Sequence, residues 1–359
     1  MTWKQTTTTT TNYLHMNNKR GYCAAATIDC NQIIVVGGRN RSSMPFGMET
    51  LQVSVMPLAA IRSRPPQPRQ EPQMMPHSII LSTTSVGATI PENVEWTALQ
   101  LQLTEGRYGH GMAIDGNNCL YLTGGYTRTG YTDLVERYDL RNNTVTRLKP
   151  LPVKVQDCTC EMIDLTLYVF GGLVEGYGAS DRGFALNLAR PDSEWRELPT
   201  MPHKRDHASS FVIDGNIYII GVQIIGVGFF RTTSRDYMDV FDTTSQKWAS
   251  PSASILPLLQ VRSSASAILH RGKYLAIVGG RSKSGDVLNA VEIIDIAAKQ
   301  RVTTTALRAS PLVGCATAIV GDNMFVVGGS DTVPPTKNFV QNLICCFEFM
   351  MEFLAAKFH

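Results

Sequence analysis

With 359 residues, the chain has room for two average domains or for one large all-β domain. Hydrophobic residues make up 43% of it, enough for a real core, while a net charge of +3 is too weak to imply nucleic-acid binding by bulk charge. The eight cysteines fall in no paired C-x-x-C pattern, which points away from a zinc module and toward reduced, packed thiols in a cytoplasmic or nuclear setting.

Residues 1–18 are threonine-rich, MTWKQTTTTTTNYLHMNN, and carry no apolar stretch of secretory-leader type. Two readings stand for this segment: a low-complexity tail, or a β-strand containing Trp3 that is lent to the last structural unit. No run of apolar residues is long enough to span a membrane as a helix. From Arg20 an apolar run, AAATIDC, meets a turn and is followed by QIIVVGG, which ends on Gly37 and Gly38. Residues 56–92 then break the pattern with IRSRPPQPRQEPQMMP, whose prolines cannot pair within a sheet and favour extended polyproline II. Arg62, Pro65 and Pro68 fit the R-x-x-P-x-x-P spacing of SH3-domain ligands, a pattern that also arises by chance in proline-rich loops.

The glycine-ended run recurs as CLYLTGG (Gly124, Gly125), LYVFGG (Gly171, Gly172), YLAIVGG (Gly279, Gly280) and MFVVGGS (Gly328, Gly329). A degenerate copy, IYIIGV, has Gly221 in the slot followed by Val222. First-glycine spacings from Gly37 onward are 87, 47, 50, 58 and 49, so the pair is a repeat marker and not a phosphate loop. Each copy follows a second apolar run and a turn, as in GMAIDGN and SSFVIDGN, which is a hairpin signal. A third run follows in VERYDL (Tyr138), MDVFDT and VEIIDI, and tryptophans mark fourth runs at Trp96, Trp195 and Trp248.

Four short strands per roughly 50-residue unit, with Gly-Gly after the second and aromatic residues on the third and fourth, resemble the kelch repeat over about residues 19–338. The resemblance implies an all-β chain: a six-bladed β-propeller of four-stranded antiparallel blades, with units beginning near Arg20, Arg107, Val155, Arg205, Arg262 and Leu312. Continuous apolar runs such as IIVV and IYII agree with strands pressed on both faces. Two readings stand for the apolar tail, residues 339–359: an amphipathic helix, because Ile344, Phe347, Met351, Leu354 and Phe358 step by 3, 4, 3 and 4, or a self-docking or poorly folded segment.

An arginine stands just before the first strand of most units: Arg20, Arg107, Arg205 and Arg262 lie eight or nine residues before their turns, and Arg308 lies near the same place outside that register. Kelch adaptors that recruit acidic peptides use similar arginines as ligand contacts, so the resemblance implies a protein-interaction module with an arginine-lined face for an acidic partner. The competing reading pairs the same arginines with carboxylates between blades. As residues 1–18 leave no room for a BTB, BACK or F-box segment, no cullin-adaptor role is expected from recognisable parts.

A search for chemistry finds no catalytic or cofactor motif. Extended, His203 and His207 would stand roughly 13 Å apart, too far for one metal. The E-x-x-x-D-x-x-x-H triplet of iron-dependent kelch specifier proteins does not occur. The enzymatic alternative is a sugar-modifying kelch propeller similar to the sialic-acid mutarotases, for which Arg, Glu and His should converge on an enclosed pocket.

Overall fold

Each upstream run and its glycine-ended partner fold into an antiparallel hairpin. Gly111–Ile114 pairs with Cys119–Thr123, and the Asp115 carboxylate holds the turn by accepting from the backbone N–H groups of Asn117 (2.8 Å) and Cys119 (3.0 Å). The computed structural model describes residues 21–28, 31–39, 48–52, 97–221, 238–249, 262–306, 311–321, 323–330 and 345–348. Among them the structure is β-rich and antiparallel, without an α-helix.

Third and fourth strands complete the units. The first sheet runs Ala24–Ile28, Gln32–Val36, Met48–Gln52, Thr97–Ala98, and the second Gly111–Ile114, Cys119–Thr123, Val135–Asp139, Thr144–Arg147. The third comprises Thr159–Ile163, Thr166–Phe170, Gly183–Asn187 and Arg196–Glu197. The fourth comprises Ser209–Ile213, Asn216–Ile220, Asp239–Asp242 and Lys247–Trp248. The fifth has Ser266–His270, Tyr274–Val278, Ala290–Asp295 and Gln300–Ala306. The sixth has Val313–Val320, Asn323–Ser330 and Cys345–Glu348.

The core lies between successive sheets, which explains the unbroken apolar runs. On the second strand of the second sheet, Leu120 and Leu122 pack toward the first sheet with Ile34, Val36 and Met48. The alternate residues Cys119 and Tyr121 pack toward the third sheet with Leu167 and Val169. A strand buried on both faces must be apolar at both parities. Tryptophans add cross-sheet ties: Trp195 Nε1 donates to Lys149 O at 2.9 Å and Trp248 Nε1 to Pro199 O at 2.8 Å, each reaching the sheet before its own.

The paired glycines make the junctions. Gly125 N–H donates to Val155 O at 2.8 Å, while Gly124 (φ +61) sits so close to that oxygen that a Cβ would fall inside van der Waals contact. The same bond joins Gly38 to Arg107 O (2.9 Å), Gly172 to Arg205 O (2.8 Å) and Gly280 to Leu312 O (2.7 Å). Thus the second strand of each of these units is bonded to the residue that opens the next. The repeat marker is an intersheet weld.

First strands contact one another in cyclic order, first to second through to sixth and back to the first. Thr27 Oγ1 donates to Ile319 O at 2.5 Å across the last of these contacts.

The tail corrects one expectation. Cys345–Glu348 is a strand, bonded to the second strand of the sixth sheet with Cys345 opposite Val326 and Glu348 opposite Asn323. The edge of that sheet offers unsatisfied backbone groups, and pairing them outweighs a local helical pattern. The threonine-rich segment with Trp3, the proline-rich insertion with Arg62, Pro65 and Pro68, Trp96, and the rest of the tail lie outside the described residues.

Candidate functional site

The arginine register leads into the sheets. Arg107, Arg205 and Arg262 are 0%, 1% and 2% exposed, so their guanidiniums are not available to a ligand in solvent. This corrects the expectation of a surface of arginines. Arg107 pairs with Glu136, Arg262 with Glu292, and Arg205 Nε with Asp239 Oδ2 at 2.6 Å. Each arginine also bonds the carbonyl that ends its own second strand: Gly124 at 3.3 Å, Gly221 at 2.6 Å and Gly279 at 2.9 Å. Each buried acid takes a further base, from Arg147 (3.8 Å), His203 (2.8 Å) or Arg301 (3.7 Å). These are hydrogen-bonded, shared charges of the kind a dry interior tolerates. Arg20 and Arg308 lie outside the described residues, although Glu49 holds the register place of Glu136 in the first sheet.

The acids were legible in VERYDL, MDVFDT and VEIIDI, two residues before Tyr138, Phe241 and Ile294, and the sequence reading passed over them. Phe241 packs against Trp248 at 5.0 Å, while Tyr138 turns its hydroxyl onto Glu136 at 2.7 Å, where burial and the carboxylate push its pKa up to about 12.

Two residues beyond the arginine register, the entrances of the six first strands share one backbone conformation. Tyr22, Gly109, Asp157, His207, Ser264 and Gly314 all adopt φ between 48° and 64°. Their backbones form a closed circuit of hydrogen bonds. Gly109 N–H donates to Tyr22 O (3.2 Å), Asp157 to Gly109 (2.6 Å), His207 to Asp157 (3.1 Å), Ser264 to His207 (3.2 Å), Gly314 to Ser264 (2.9 Å) and Tyr22 to Gly314 (2.8 Å). Left-handed backbone is costly at four non-glycine positions, and the circuit offsets it by satisfying every donor in it. Below it lies a cavity of about 240 Å³, lined by small residues such as Ala24, Gly111, Ser209, Ser266 and Ala316 from the first strands.

At the mouth, His207 Nε2 stands 3.1 Å from Asp157 Oδ2, and Nδ1 stands 3.5 Å from Asp206 Oδ2. Burial alone would lower the pKa of this imidazole, yet the two carboxylates raise it to about 9. Burial raises the Asp157 carboxyl, opposed by the His207 charge. His203 takes Asp239 instead, so the two histidines serve different partners. His110 is the opposite case: buried among glycines and near Arg107, it is lowered to about 3 and stays neutral.

An aromatic cluster from the first and second units stands at one side of the mouth. Tyr22 and Tyr108 lie 6.4 Å apart, Tyr108 and Tyr126 5.4 Å, and Tyr126 and Tyr131 5.4 Å. The Arg39 guanidinium stacks over Tyr108 (4.7 Å) and Tyr22 (5.3 Å). Tyr126–Thr127 and Gly130–Tyr131 form a small hairpin, and the next unit's hairpin, Leu173–Val174 with Gly178–Ala179, carries Tyr177 at 87% exposed.

Two family models match this chain: a KLHDC2/KLHL20/DRC7 Kelch-repeats domain over residues 151–329 and a Kelch motif over 106–152. The chain is a kelch-repeat protein. Among similar curated proteins, this kelch-repeat chain is 33% identical to an F-box/kelch-repeat protein of Arabidopsis thaliana, over 36% of this chain and 33% of the relative. It is 27% identical to the Kelch-like protein terF of Aspergillus terreus, over 65% of this chain and 52% of the relative. It is 31% identical to the Kelch repeat protein C2 of cowpox virus, over 45% of this chain and 30% of the relative. The kelch-repeat chain thus spans about half or less of the length of these relatives.

Proposed function

We propose that this kelch-repeat protein is a six-bladed propeller acting as a protein-interaction module, and that the partner docks on the face where the first strands begin. The cyclic strand contacts and the six-membered backbone circuit support the blade number. The observation that carries the binding reading is the cluster of Tyr22, Tyr108, Tyr126 and Tyr131 with Arg39 stacked on it, and the exposed Tyr177 on the corresponding hairpin of the next unit. Tyrosine and arginine are the residues that dominate binding energy at protein interfaces, because they bury large area at low entropic cost.

An acidic partner remains the preferred chemistry, now through partly exposed Arg39 and Arg281 in place of the buried arginines. The mutarotase-like alternative required Arg, Glu and His to meet in one pocket. Arg107, Arg205 and Arg262 instead meet their acids inside the sheets.

Affinity purification with a Tyr126→Ala, Tyr177→Ala double variant tests the reading. Partners captured by the wild type should be lost from it and retained by Asn142→Ala, a change in the exposed third-to-fourth-strand turn of the second sheet. Identical recovery from all three chains would refute binding at this face.

A further inference from the structure

Three of the tyrosines at the mouth belong to one small piece of sheet. The backbones of Tyr108 and Tyr126 bond each other in both directions, at 3.2 and 2.8 Å, and Tyr126 stands opposite Tyr131 in its hairpin. Directly opposed residues of antiparallel strands share a face, so these rings stand side by side at 5.4 Å. Tyr22 of the first unit continues the row, 6.4 Å from Tyr108. All four side chains are partly exposed.

The row presents ring faces and hydroxyl donors. Successive ring planes are inclined by 60°, 37° and 70°, which leaves notches between rings in place of a flat stack. The Tyr126 and Tyr131 hydroxyls take no hydrogen-bond partner among the described residues. The row does not present a free sheet edge at its centre, because the Tyr108 and Tyr126 backbone groups are already engaged with each other. A partner strand therefore has no ladder to join there. A partner helix buries an apolar stripe, which hydroxyl-tipped rings match poorly.

A polyproline II segment suits each of these properties. Its pyrrolidine rings pack on aromatic faces, and its carbonyls are all free to accept from hydroxyls. Proline has no N–H, so the segment demands no acceptor from a row that offers donors. Three steps of 5.4–6.4 Å match about five or six residues of such a segment, at about 3.1 Å each. The Arg39 guanidinium, over Tyr108 at 4.7 Å and Tyr22 at 5.3 Å, sets the charge at the inner end and favours a carboxylate beside the prolines.

We propose that the tyrosine row binds a proline-rich segment of a partner protein in polyproline II form, with an acidic residue at the Arg39 end. This rests on the reading that a partner docks at this face, and it names the chemistry that the partner presents.

Isothermal titration of the full chain with blocked peptides tests the assignment. A peptide of one glutamate followed by six prolines should bind saturably, and the same peptide with glycines for prolines should not. Affinity for the proline peptide should fall about tenfold in Tyr126→Ala and several-fold in Arg39→Gln. A peptide headed by glutamine in place of glutamate should show the same several-fold loss against the wild type. Asn142→Ala, in the exposed third-to-fourth-strand turn of the second unit, should leave affinity unchanged. Absence of binding by the wild type, equal binding of the glycine peptide, or an equal loss in Asn142→Ala overturns the proposal. Should Tyr126→Ala fail to fold by thermal melting, Tyr131→Ala takes its place, and unchanged affinity there overturns the proposal equally. Loss of captured partners from the Tyr126→Ala, Tyr177→Ala double variant, with no binding of the proline peptide by the wild type, would keep the face and discard this chemistry.

Discussion

The second and third sheets are neighbours of the same design, yet they solve one position oppositely. In the second, Arg107 at the strand entrance meets Glu136 on the third strand, both fully buried. At the matching places the third sheet has Val155 and Phe184, each nearly buried. The fourth and fifth sheets follow the ionic solution, and the sixth places Leu312 with Cys345 by register. Arginine and acid come and go together. A buried charge is stable only with its partner, whereas an apolar pair of similar volume serves as well, so the two members change as a unit.

The comparison breaks most sharply if one member is removed. Glu136→Ala should destabilise the chain by about 3–5 kcal/mol in denaturant unfolding, because Arg107 would be left buried and unpaired. The double variant Arg107→Val with Glu136→Phe, which copies the third sheet, should lose clearly less than the sum of its single changes. Additive losses would show that the two residues do not act as a pair.

At the junction between the same two sheets, Gly124→Ala should cost about 2 kcal/mol or more, since a side chain meets the Val155 carbonyl in a left-handed backbone. Gly116→Ala, in a turn with open space around it, should change stability by no more than about 0.5 kcal/mol. Equal losses at the two positions would remove the weld from the account.

The mouth sharpens the contrast through pH. Burial lowers the folded-state pKa of His207, but Asp157 and Asp206 outweigh burial and the weaker opposition of Arg39 and raise it to about 9. Its contribution is therefore complete below the unfolded value near 6.5 and is lost as pH rises through about 9. Thermal stability measured from pH 6 to 10 should fall in the wild type by on the order of 2 kcal/mol more than in His207→Gln. Parallel curves would mean that the ion pair contributes nothing.

Much of the fold could be read from local residues because a strand pressed on both sides must be apolar throughout, and a junction without room for Cβ must be glycine. Gly124, Gly125, Gly279 and Gly280 reported both constraints. The tail misled for the same reason: Ile344 and Phe347 have helical spacing, but Cys345–Glu348 meets an open sheet edge, which no local pattern records. The candidate site was less legible. Arg107 and Arg205 stood out by register, but register gives height in a sheet and not direction, and their acids lie about 30 residues away, at Glu136 and Asp239.

Spacing alone marked the repeat and the glycines where sheets join, because those depend on residues close in sequence, and the resemblance of that repeat implied the all-β character. Only tertiary structure decided which charges are buried, since pairing across a sheet brings together groups that no local pattern links. It also gathered Tyr22, Asp157 and His207 at one mouth. Each opens a different sheet, and a closed circuit of backbone hydrogen bonds is what sets them side by side.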